Sequence, residues 1–169
     1  MGRRRWRKLI ILRGLPGSRK TDKANELLKY FKERGMYGII VSADDYFRNG
    51  PNGEIVNFDA RKLYEAHKEA REKAWDAMLR KENPIIIDNI NMEFQYMYPY
   101  VFRGFRKRYW IEFVDLMDDN VPTYDSYRRC KGKIPLEKFE KWKASYRKVK
   151  HINQILHDPV SKSKWKYRL

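Results

Sequence analysis

The chain alternates short, almost wholly apolar runs with longer segments in which apolar residues recur every three or four positions. The apolar runs cover residues 9–12, 38–41, 84–88 and 109–114, and their composition is typical of strands buried on both faces. Strands of this kind that alternate with helices form a parallel sheet with helices on both sides. The pattern therefore predicts an α/β fold with a parallel sheet of about four to five strands.

The segments between the apolar runs have helical periodicity. Apolar residues at positions i, i+3, i+4 and i+7 predict a first helix, which Gly35 ends. An apolar stripe predicts a long helix over residues 60–81, residues 93–106 favour another, and Pro135 suits the first turn of a last helix. The spacing predicts that this last helix packs inward through Leu136, Phe139, Trp142 and Tyr146.

Both ends of the chain are basic and lack this periodicity. Residues 1–7 are expected to form a basic arm and residues 151–169 a basic C-terminal tail, mobile over residues 161–169. The folded domain then covers residues 8–150. Aromatic residues within the ends are candidates for stacking on unpaired bases, and a solvated charge run without a function is the alternative; these aromatics are Trp6, Trp165 and Tyr167.

Composition adds a strong basic bias to this picture. The 169 residues include 38 Lys and Arg against 22 Asp and Glu, which gives a net charge of +16. A surface so basic attracts polyanions, and nucleic acid is the commonest polyanion. Improved solubility, an anionic membrane surface and a protein partner are the alternatives. Nucleic acid, either RNA or DNA, is therefore the expected partner.

Several classes of protein are excluded by the same sequence. The single cysteine, Cys130, rules out an intrachain disulfide framework, and the three histidines have no metal-ligand spacing. The longest apolar runs are too short to span a bilayer. We therefore expect a protein of the cytoplasm or nucleus that does not insert into membranes.

A glycine- and proline-rich loop follows the first predicted strand. Its length and sequence are those of a phosphate-binding P-loop, G-x-x-x-x-G-K-[ST], except that Arg19 stands where the motif has its second glycine. Backbone N–H groups of such a loop, at the start of a helix, bind anionic phosphates. The predicted nucleotide-binding residues, called the P-loop below, are Gly14, Leu15, Pro16, Gly17, Ser18, Arg19, Lys20 and Thr21.

Arg19 leaves the affinity of the P-loop for a nucleotide open. Glycine at this position lets the backbone approach the phosphates closely, whereas a side chain crowds them or opens the loop. An arginine also brings a cation with five donors that can bind a phosphate. The sequence is therefore compatible with weaker, different or no nucleotide binding.

Polar residues also follow the second and third predicted strands. Asp44 and Asp45 follow the second strand, where a carboxylate can act as general base for a hydroxyl nucleophile. The alternative is an Asx turn or a helix cap. Asp88, Asn89 and Asn91 follow the third strand, where an acid can reach Mg²⁺ directly or through water; simple turn chemistry is the alternative.

Taken in order, these segments resemble a known family. The P-loop, residues 44–47 and residues 86–91 are similar to the P-loop kinases that phosphorylate the 5′-hydroxyl of polynucleotides. The resemblance is strongest to the animal domain related to the NEDD-binding-protein kinase module, which residues 97–100 and 129–135 also resemble. It covers residues 8–148, and it implies a three-layer P-loop kinase fold with a helical lid.

The resemblance implies ATP and Mg²⁺ as cofactors and assigns roles at the site. Asp44 matches the general base that takes the proton from the 5′-hydroxyl. Lys20 matches a catalytic residue that contacts the phosphates. Thr21 and Asp88 match the residues that hold Mg²⁺.

The resemblance also implies residues for the acceptor and the lid. Asp45, Asn89 and Asn91 match acceptor-binding positions. Arg128 and Arg129 fall where the family carries catalytic lid arginines, which neutralise charge on the transferred phosphoryl group.

Four residues depart from the family pattern, and these departures leave open whether the protein is an active or an inactive kinase. The first alternative is an ATP-dependent kinase that phosphorylates the 5′-hydroxyl end of RNA or DNA, weakened by Arg19. The second alternative is an inactive P-loop pseudokinase that binds nucleic acid or a protein. A small-molecule kinase is a third reading, which the net charge does not favour. The departures are Arg19, Ala43, Ile90 and Cys130.

Overall fold

The computed structural model describes residues 6–117 and 123–169. Most of the predicted basic arm, residues 1–5, therefore lies outside the described residues. None of the helices in the described ranges combines the length and apolar character that crossing a membrane requires.

The described strands form one parallel sheet. Its strands are β1 (Lys8–Arg13), β2 (Ile39–Val41), β3 (Ile85–Asp88) and β4 (Trp110–Asp115), in the spatial order β2-β3-β1-β4. β1 pairs in parallel with both β3 and β4, and β2 pairs in parallel with β3. Each strand lies within one residue of its predicted bounds at both ends, because buried apolar runs mark strands clearly.

The helices lie between and after the strands. Two short 3₁₀ helices are also present. One follows β2 at Ala43–Phe47, and the other lies directly before the second α-helix at Ala60–Lys62. The helix predicted over residues 60–81 therefore begins with a 3₁₀ turn. The described α-helices are α1 (Lys20–Lys32), α2 (Leu63–Leu79), α3 (Phe94–Arg106), α4 (Thr123–Arg129), α5 (Leu136–Ser145), α6 (Asn153–Leu156) and α7 (Pro159–Trp165).

Alternate side chains of the strands point to opposite faces of the sheet and create two cores. On one face, Leu9 and Ile11 pack in a cluster with buried residues of α2, α3, α6 and α7. On the other face, Ile10 and Leu12 pack with Ala24 of α1. The fold therefore has three layers, as predicted, with α1 alone on one side of the described sheet.

A third apolar cluster joins the P-loop to the last helices. Leu15 of the P-loop and Met92, which follows β3, pack with Phe139 of α5. Trp142 and Tyr146 are packed against this cluster, as predicted, although Tyr146 directly follows the end of α5 and the predicted Leu136 is not part of the cluster. The helical layer formed by α4 and α5 therefore covers the P-loop in the position of a lid.

The C-terminal segment differs from the mobile basic tail that the sequence predicts. Helix α7 contains Trp165, which is only 7 % exposed and belongs to the core cluster of α3. Asp158 caps this helix, its carboxylate accepting a hydrogen bond from the backbone N–H of Ser161 at 2.9 Å. A helix of two turns is too short for periodicity to reveal its buried face. Tyr167 and Trp6 are exposed, as expected.

Candidate active site

The carboxyl ends of β1, β2 and β3 meet at one edge of the sheet. Leu12 of β1 is in register with Asp88 of β3, and Val41 of β2 is in register with Ile87. Ligands of open parallel sheets bind at this edge. The three segments that the sequence analysis singled out therefore begin side by side.

The P-loop links β1 to α1 and is tied to its neighbours through the backbone. The N–H of Gly14 donates to the carbonyl of Ile90 at 3.1 Å, and the N–H of Ser18 donates to the carbonyl of Leu15 at 3.1 Å. The Lys20 ammonium donates to the same Leu15 carbonyl at 2.9 Å. Lys20 therefore folds back over its own loop.

The charge of Lys20 is held in a poorly hydrated position. Burial lowers the pKa of Lys20, while the carboxylates of Asp88 and Asp44 oppose that shift, with a smaller contribution from Cys130. A desolvated cation next to a loop of backbone donors favours an anionic ligand. Lys20 therefore has the electrostatic character that a phosphate-binding lysine needs.

Arg19 has a left-handed backbone, with φ 64° and ψ 33°. Glycine takes this conformation freely, whereas any other residue has a steric cost. Its side chain is exposed and makes no capping hydrogen bond to α1. The substitution therefore adds backbone strain to the P-loop, and the exposed guanidinium is directed to solvent.

Thr21 and Asp88 form a pair at the start of α1 and the end of β3. The Thr21 hydroxyl donates to Asp88 Oδ2 at 2.8 Å. Asp88 is 6 % exposed. Burial raises the pKa of Asp88, while the Thr21 hydrogen bond and Lys20 act in the opposite direction.

The residues present fit Mg²⁺ and a nucleotide. Hydroxyl and carboxylate oxygens are the ligands that Mg²⁺ prefers, and Thr21 and Asp88 place one of each together. The Ser18 hydroxyl is buried and has no hydrogen-bond partner among the described residues. A Cβ on Gly14 would lie 2.5 Å from that hydroxyl oxygen, so any larger residue at Gly14 would displace the Ser18 hydroxyl. Ser18 therefore offers an unused donor inside the P-loop.

Asp44 lies in the 3₁₀ helix that follows β2, and its side chain is exposed. Ser42 caps this helix, its hydroxyl accepting from the Asp44 N–H at 3.2 Å. Asp44 is therefore not needed as the cap, which was the alternative for this residue. The backbone N–H of Ala43 donates to Asn89 Oδ1 at 2.9 Å, so Asn89 fixes the segment that carries Asp44.

The other two predicted acceptor-binding residues contact their own surroundings. Asp45 forms exposed ion pairs with Arg48 at 3.4 Å and with Lys73 at 3.5 Å. Asn91 is buried with φ 53°, and its amide nitrogen donates to the carbonyl of Leu12 at 2.8 Å. Asn91 therefore joins the loop after β3 to the end of β1.

Helix α4 lies directly on the P-loop. A Cβ added to Gly17 would lie 2.8 Å from the carbonyl oxygen of Ser126. The Arg129 guanidinium donates to the Gly17 carbonyl at 3.1 Å. Arg128 instead lies 6.0 Å from the ring centroid of Tyr124. Of the two predicted lid arginines, only Arg129 is hydrogen-bonded to the P-loop.

One residue of the site was missed by sequence reasoning. Arg13, at the end of β1, is fully buried and donates to the backbone carbonyls of Asn91 and Met92, each at 2.9 Å. It also donates to the carbonyl of Arg147 at 2.8 Å. Burial lowers the pKa of Arg13, and Asp115 opposes that shift. An arginine that directly follows a buried apolar run was the available signal.

These features define a protein class. A parallel sheet in the order β2-β3-β1-β4, a P-loop between β1 and α1, and an acid at the end of β3 give a P-loop kinase-like nucleotide-binding fold. Residues 8–165 match the family described as chromatin associated protein KTI12, and the chain belongs to this family.

A sequence relative supports the resemblance seen in the sequence. NEDD4-binding protein 2 of Homo sapiens is 41 % identical over 105 residues, which are 62 % of this chain. The matched region is 6 % of that relative, so this chain spans a small fraction of its length. The predicted relationship to the NEDD-binding-protein kinase module is therefore confirmed.

Solved structures show the same fold. The APS kinase CysC of Mycobacterium tuberculosis, in complex with AMPPNP and APS, superposes with a TM-score of 0.55 at 16 % identity, covering 94 % of this chain and 98 % of that one. A chain of the Pnkp1/Rnl/Hen1 RNA repair complex gives a TM-score of 0.53 at 19 % identity, covering 96 % of this chain and 47 % of that one. The predicted P-loop kinase fold is confirmed.

Proposed function

We propose that this protein transfers the γ-phosphate of ATP to the 5′-hydroxyl end of a nucleic acid. The observation that carries the proposal is the grouping of the segments that hold Lys20, Asp44 and Asp88. Thr21, next to Lys20, is hydrogen-bonded to Asp88, and Asn89, next to Asp88, holds the backbone N–H of Ala43 beside Asp44. A kinase needs a phosphate-binding cation, a metal ligand and a base close together. The RNA repair complex among the structural relatives and the net charge of +16 favour a nucleic acid as acceptor.

In this mechanism, the chain holds the donor through the P-loop. Backbone N–H groups of the loop and Lys20 bind the phosphates, and Thr21 and Asp88 hold the metal ion. Bound Mg²⁺ and ATP supply the electrophilic phosphorus and a metal charge that neutralises the phosphates. Arg129, at the P-loop face of α4, adds a second cation where charge accumulates during transfer.

Asp44 acts on the acceptor. Its carboxylate takes the proton of the 5′-hydroxyl as the hydroxyl oxygen bonds to phosphorus and the bond between the γ-phosphorus and the leaving diphosphate oxygen breaks. Exposure of Asp44 gives an acceptor end access to this carboxylate. Asn89 is a positioning residue, because it holds the backbone of the segment through the N–H of Ala43.

The test measures labelled γ-phosphate incorporated into RNA and DNA oligonucleotides with a 5′-hydroxyl. We expect Asp44→Asn to keep Mg·ATP affinity while transfer falls about 10²–10⁴-fold, the usual contribution of a general base. Lys20→Ala should lose both nucleotide affinity and transfer. Glu26→Gln is the matched control, since it removes an exposed carboxylate of α1 that pairs with Lys23 outside the site and should retain transfer.

Mg·ATP binding without transfer to either oligonucleotide would contradict the proposal. Turnover of a nucleoside or sugar in the same assay would instead identify a small-molecule kinase. Equal loss of transfer in Asp44→Asn and Glu26→Gln would contradict the role of Asp44 as the base.

A binding module without catalysis is the second candidate, and the strained backbone of Arg19 supports it. The hydrogen bond from Arg129 to the Gly17 carbonyl also supports it, because this bond ties α4 to the P-loop. This function predicts salt-dependent oligonucleotide binding that ATP does not alter and that Lys20→Ala retains. A strong increase in that binding on addition of ATP would contradict it.

A further inference from the structure

We infer that helices α2 and α7, with the residues that follow α7, carry a surface that binds the phosphates of the acceptor strand beyond its 5′-terminal nucleotide. This surface consists of Arg71, Lys164 and Arg168, and we call it the α2–α7 basic surface. The inference rests on the proposed function for the identity of its ligand. It makes an oligonucleotide, rather than a single nucleotide, the preferred acceptor.

Packing holds the α2–α7 basic surface together. The indole N–H of Trp165 donates to the backbone carbonyl of Gln95 at 2.8 Å, which fixes α7 on α3. The guanidinium of Arg71 lies 4.9 Å from the ring centroid of Trp165, so α7 is also in contact with α2. The Lys164 ammonium donates to Gln95 Oε1 at 3.0 Å. The backbone N–H of Arg168 donates to the carbonyl of Trp165 at 3.0 Å, which places Arg168 directly after α7. Cations of two distant chain segments therefore surround the buried Trp165.

The surface has an excess of positive charge, although Glu93 acts on Lys164 and Glu72 acts on Arg71. Within the described residues, Arg71, Lys164 and Arg168 form no ion pair with a carboxylate, whereas Lys68 and Lys73 of the same α2 helix pair with Glu72 and Asp45. Burial lowers the pKa of Lys164, and Arg168 and Arg71 lower it further against the opposing charge of Glu93. Cations that repel one another in this way are stabilised by an added phosphate.

His67 connects this surface to the proposed general base. It lies one helical turn before Arg71 on α2. Burial lowers the pKa of His67, Arg71 and Lys164 lower it too, and Asp44 acts in the opposite direction. Helix α2 also packs against the 3₁₀ helix that carries Asp44, and Ala66, next to His67, is buried in one cluster with Ala43 and Phe47 of that helix. A strand whose 5′-hydroxyl is at Asp44 can pass His67 and place its next phosphates on the three cations.

The experiment compares two double variants of the full chain. Lys164→Gln/Arg168→Gln removes two charges of the surface. Lys162→Gln/Lys166→Gln is the matched control, because it removes two exposed charges from the same segment. Transfer is measured with a dinucleotide and an octanucleotide acceptor, and octanucleotide binding is measured without ATP over a range of salt concentrations.

We expect Lys164→Gln/Arg168→Gln to raise KM for the octanucleotide and to leave kinetics with the dinucleotide unchanged. Its binding should lose about 1.4 from the slope of log K against log salt, since each phosphate contact on a single strand contributes about 0.7. The control pair should change the slope by less than half as much. Urea unfolding of both variants checks that α7 stays folded.

The outcomes separate this inference from the proposed function. If no transfer occurs but octanucleotide binding depends on Lys164 and Arg168 and not on the control pair, the surface stands and the kinase proposal fails. If transfer occurs but both pairs weaken binding equally, or neither pair does, the surface is overturned and the kinase proposal stands. Absence of octanucleotide binding by the unmodified chain overturns the surface as well.

Discussion

At the scale of single residues, the candidate site holds groups in unfavourable states. The backbone of Arg19 is left-handed, and burial shifts the pKa of Lys20 down and that of Asp88 up. Each of these features opposes folding, and each is compatible with a site that a charged ligand completes. Variants that remove one of these features at a time should therefore change the free energy of unfolding and the affinity for the ligand in different ways.

The backbone strain of Arg19 gives the first prediction. Arg19→Gly should raise the free energy of unfolding by about 0.5–1 kcal/mol, since a left-handed backbone costs about 1–2 kcal/mol and the more flexible unfolded chain offsets about 0.4–1 kcal/mol. Mg·ATP affinity, measured by calorimetry, should change little, because the Arg19 side chain is exposed.

Arg108→Gly is the matched control for Arg19→Gly. Arg108 also has a left-handed backbone, with φ 60°, and lies between α3 and β4. It should show a similar gain in urea unfolding without any effect on Mg·ATP. A large rise in Mg·ATP affinity only in Arg19→Gly would show that the arginine side chain blocks the P-loop.

The burial of Asp88 gives a prediction about pH. Because the folded-state pKa of Asp88 is raised from 3.8, its stabilising contribution is present below pH 3.8 and is lost as pH rises through the folded pKa. Asp88→Asn should therefore be more stable than the unmodified chain at pH 7, with weaker Mg·ATP binding. Urea unfolding should show this gain shrinking as the pH is lowered toward 4; a gain independent of pH would contradict the explanation.

The residues of the site were not equally predictable. The proximity of Lys20, Thr21 and Asp88 could be predicted because all three lie at or after the carboxyl ends of neighbouring parallel strands, while their roles toward phosphate and Mg²⁺ stay predictions. Arg13 and Asn91 could not be assigned their roles, since their side chains bind backbone carbonyls of segments far apart in the chain. Every residue has a backbone carbonyl, so the sequence does not indicate which carbonyl a side chain will bind.

At the scale of secondary structure, the contact between α4 and the P-loop decides how the site opens. Gly17 has φ 78° and allows α4 to approach the loop closely. Arg129 adds a hydrogen bond across the same contact. Access of a nucleotide to the P-loop therefore depends on this helix as well as on the loop.

Gly17→Ala tests the contact. The added Cβ would lie 2.8 Å from the Ser126 carbonyl oxygen, so α4 must shift. Gly132→Ala is the matched control, because Gly132 also has a positive φ, of 71°, but its Cβ meets open space. In urea unfolding, Gly17→Ala should be the more destabilised by about 1–3 kcal/mol, the usual cost of overpacking.

Limited proteolysis supplies the second measurement on these variants. Gly17→Ala should be cleaved faster than Gly132→Ala near α4, since α4 no longer packs against the P-loop in that variant. Equal stability and equal cleavage of the two variants would show that the P-loop tolerates the side chain and that α4 is not held there.

Element length explains which secondary structure could be predicted. The strands, α2 and α3 could be predicted because apolar runs or long periodic stripes mark them. Helices α4, α6 and α7 have 7, 4 and 7 residues, fewer than a periodic pattern needs. Asp158 caps α7, and all three helices pack against α3 or the P-loop, in contacts that the local sequence does not specify.

At the scale of the whole molecule, the C-terminal segment, residues 151–169, packs into the core and does not form a mobile tail. Ile155 of α6 and Trp165 of α7 are buried in the same cluster as the sheet and α3. The family match, which extends to residue 165, includes both helices. The basic charge of this segment is therefore held in a fixed position beside α2.

Trp165→Ala tests whether the segment is part of the folded unit. Trp165 is 7 % exposed, so the cavity it leaves should lower the free energy of unfolding by about 3–5 kcal/mol. Tyr167→Ala is the matched control, because Tyr167 is 88 % exposed and its loss should change stability by less than about 0.5 kcal/mol. A mobile tail would give the same small change for both. Urea unfolding therefore distinguishes an integral helix from a tail. Because Arg71 stacks on Trp165, Trp165→Ala should also weaken salt-dependent oligonucleotide binding.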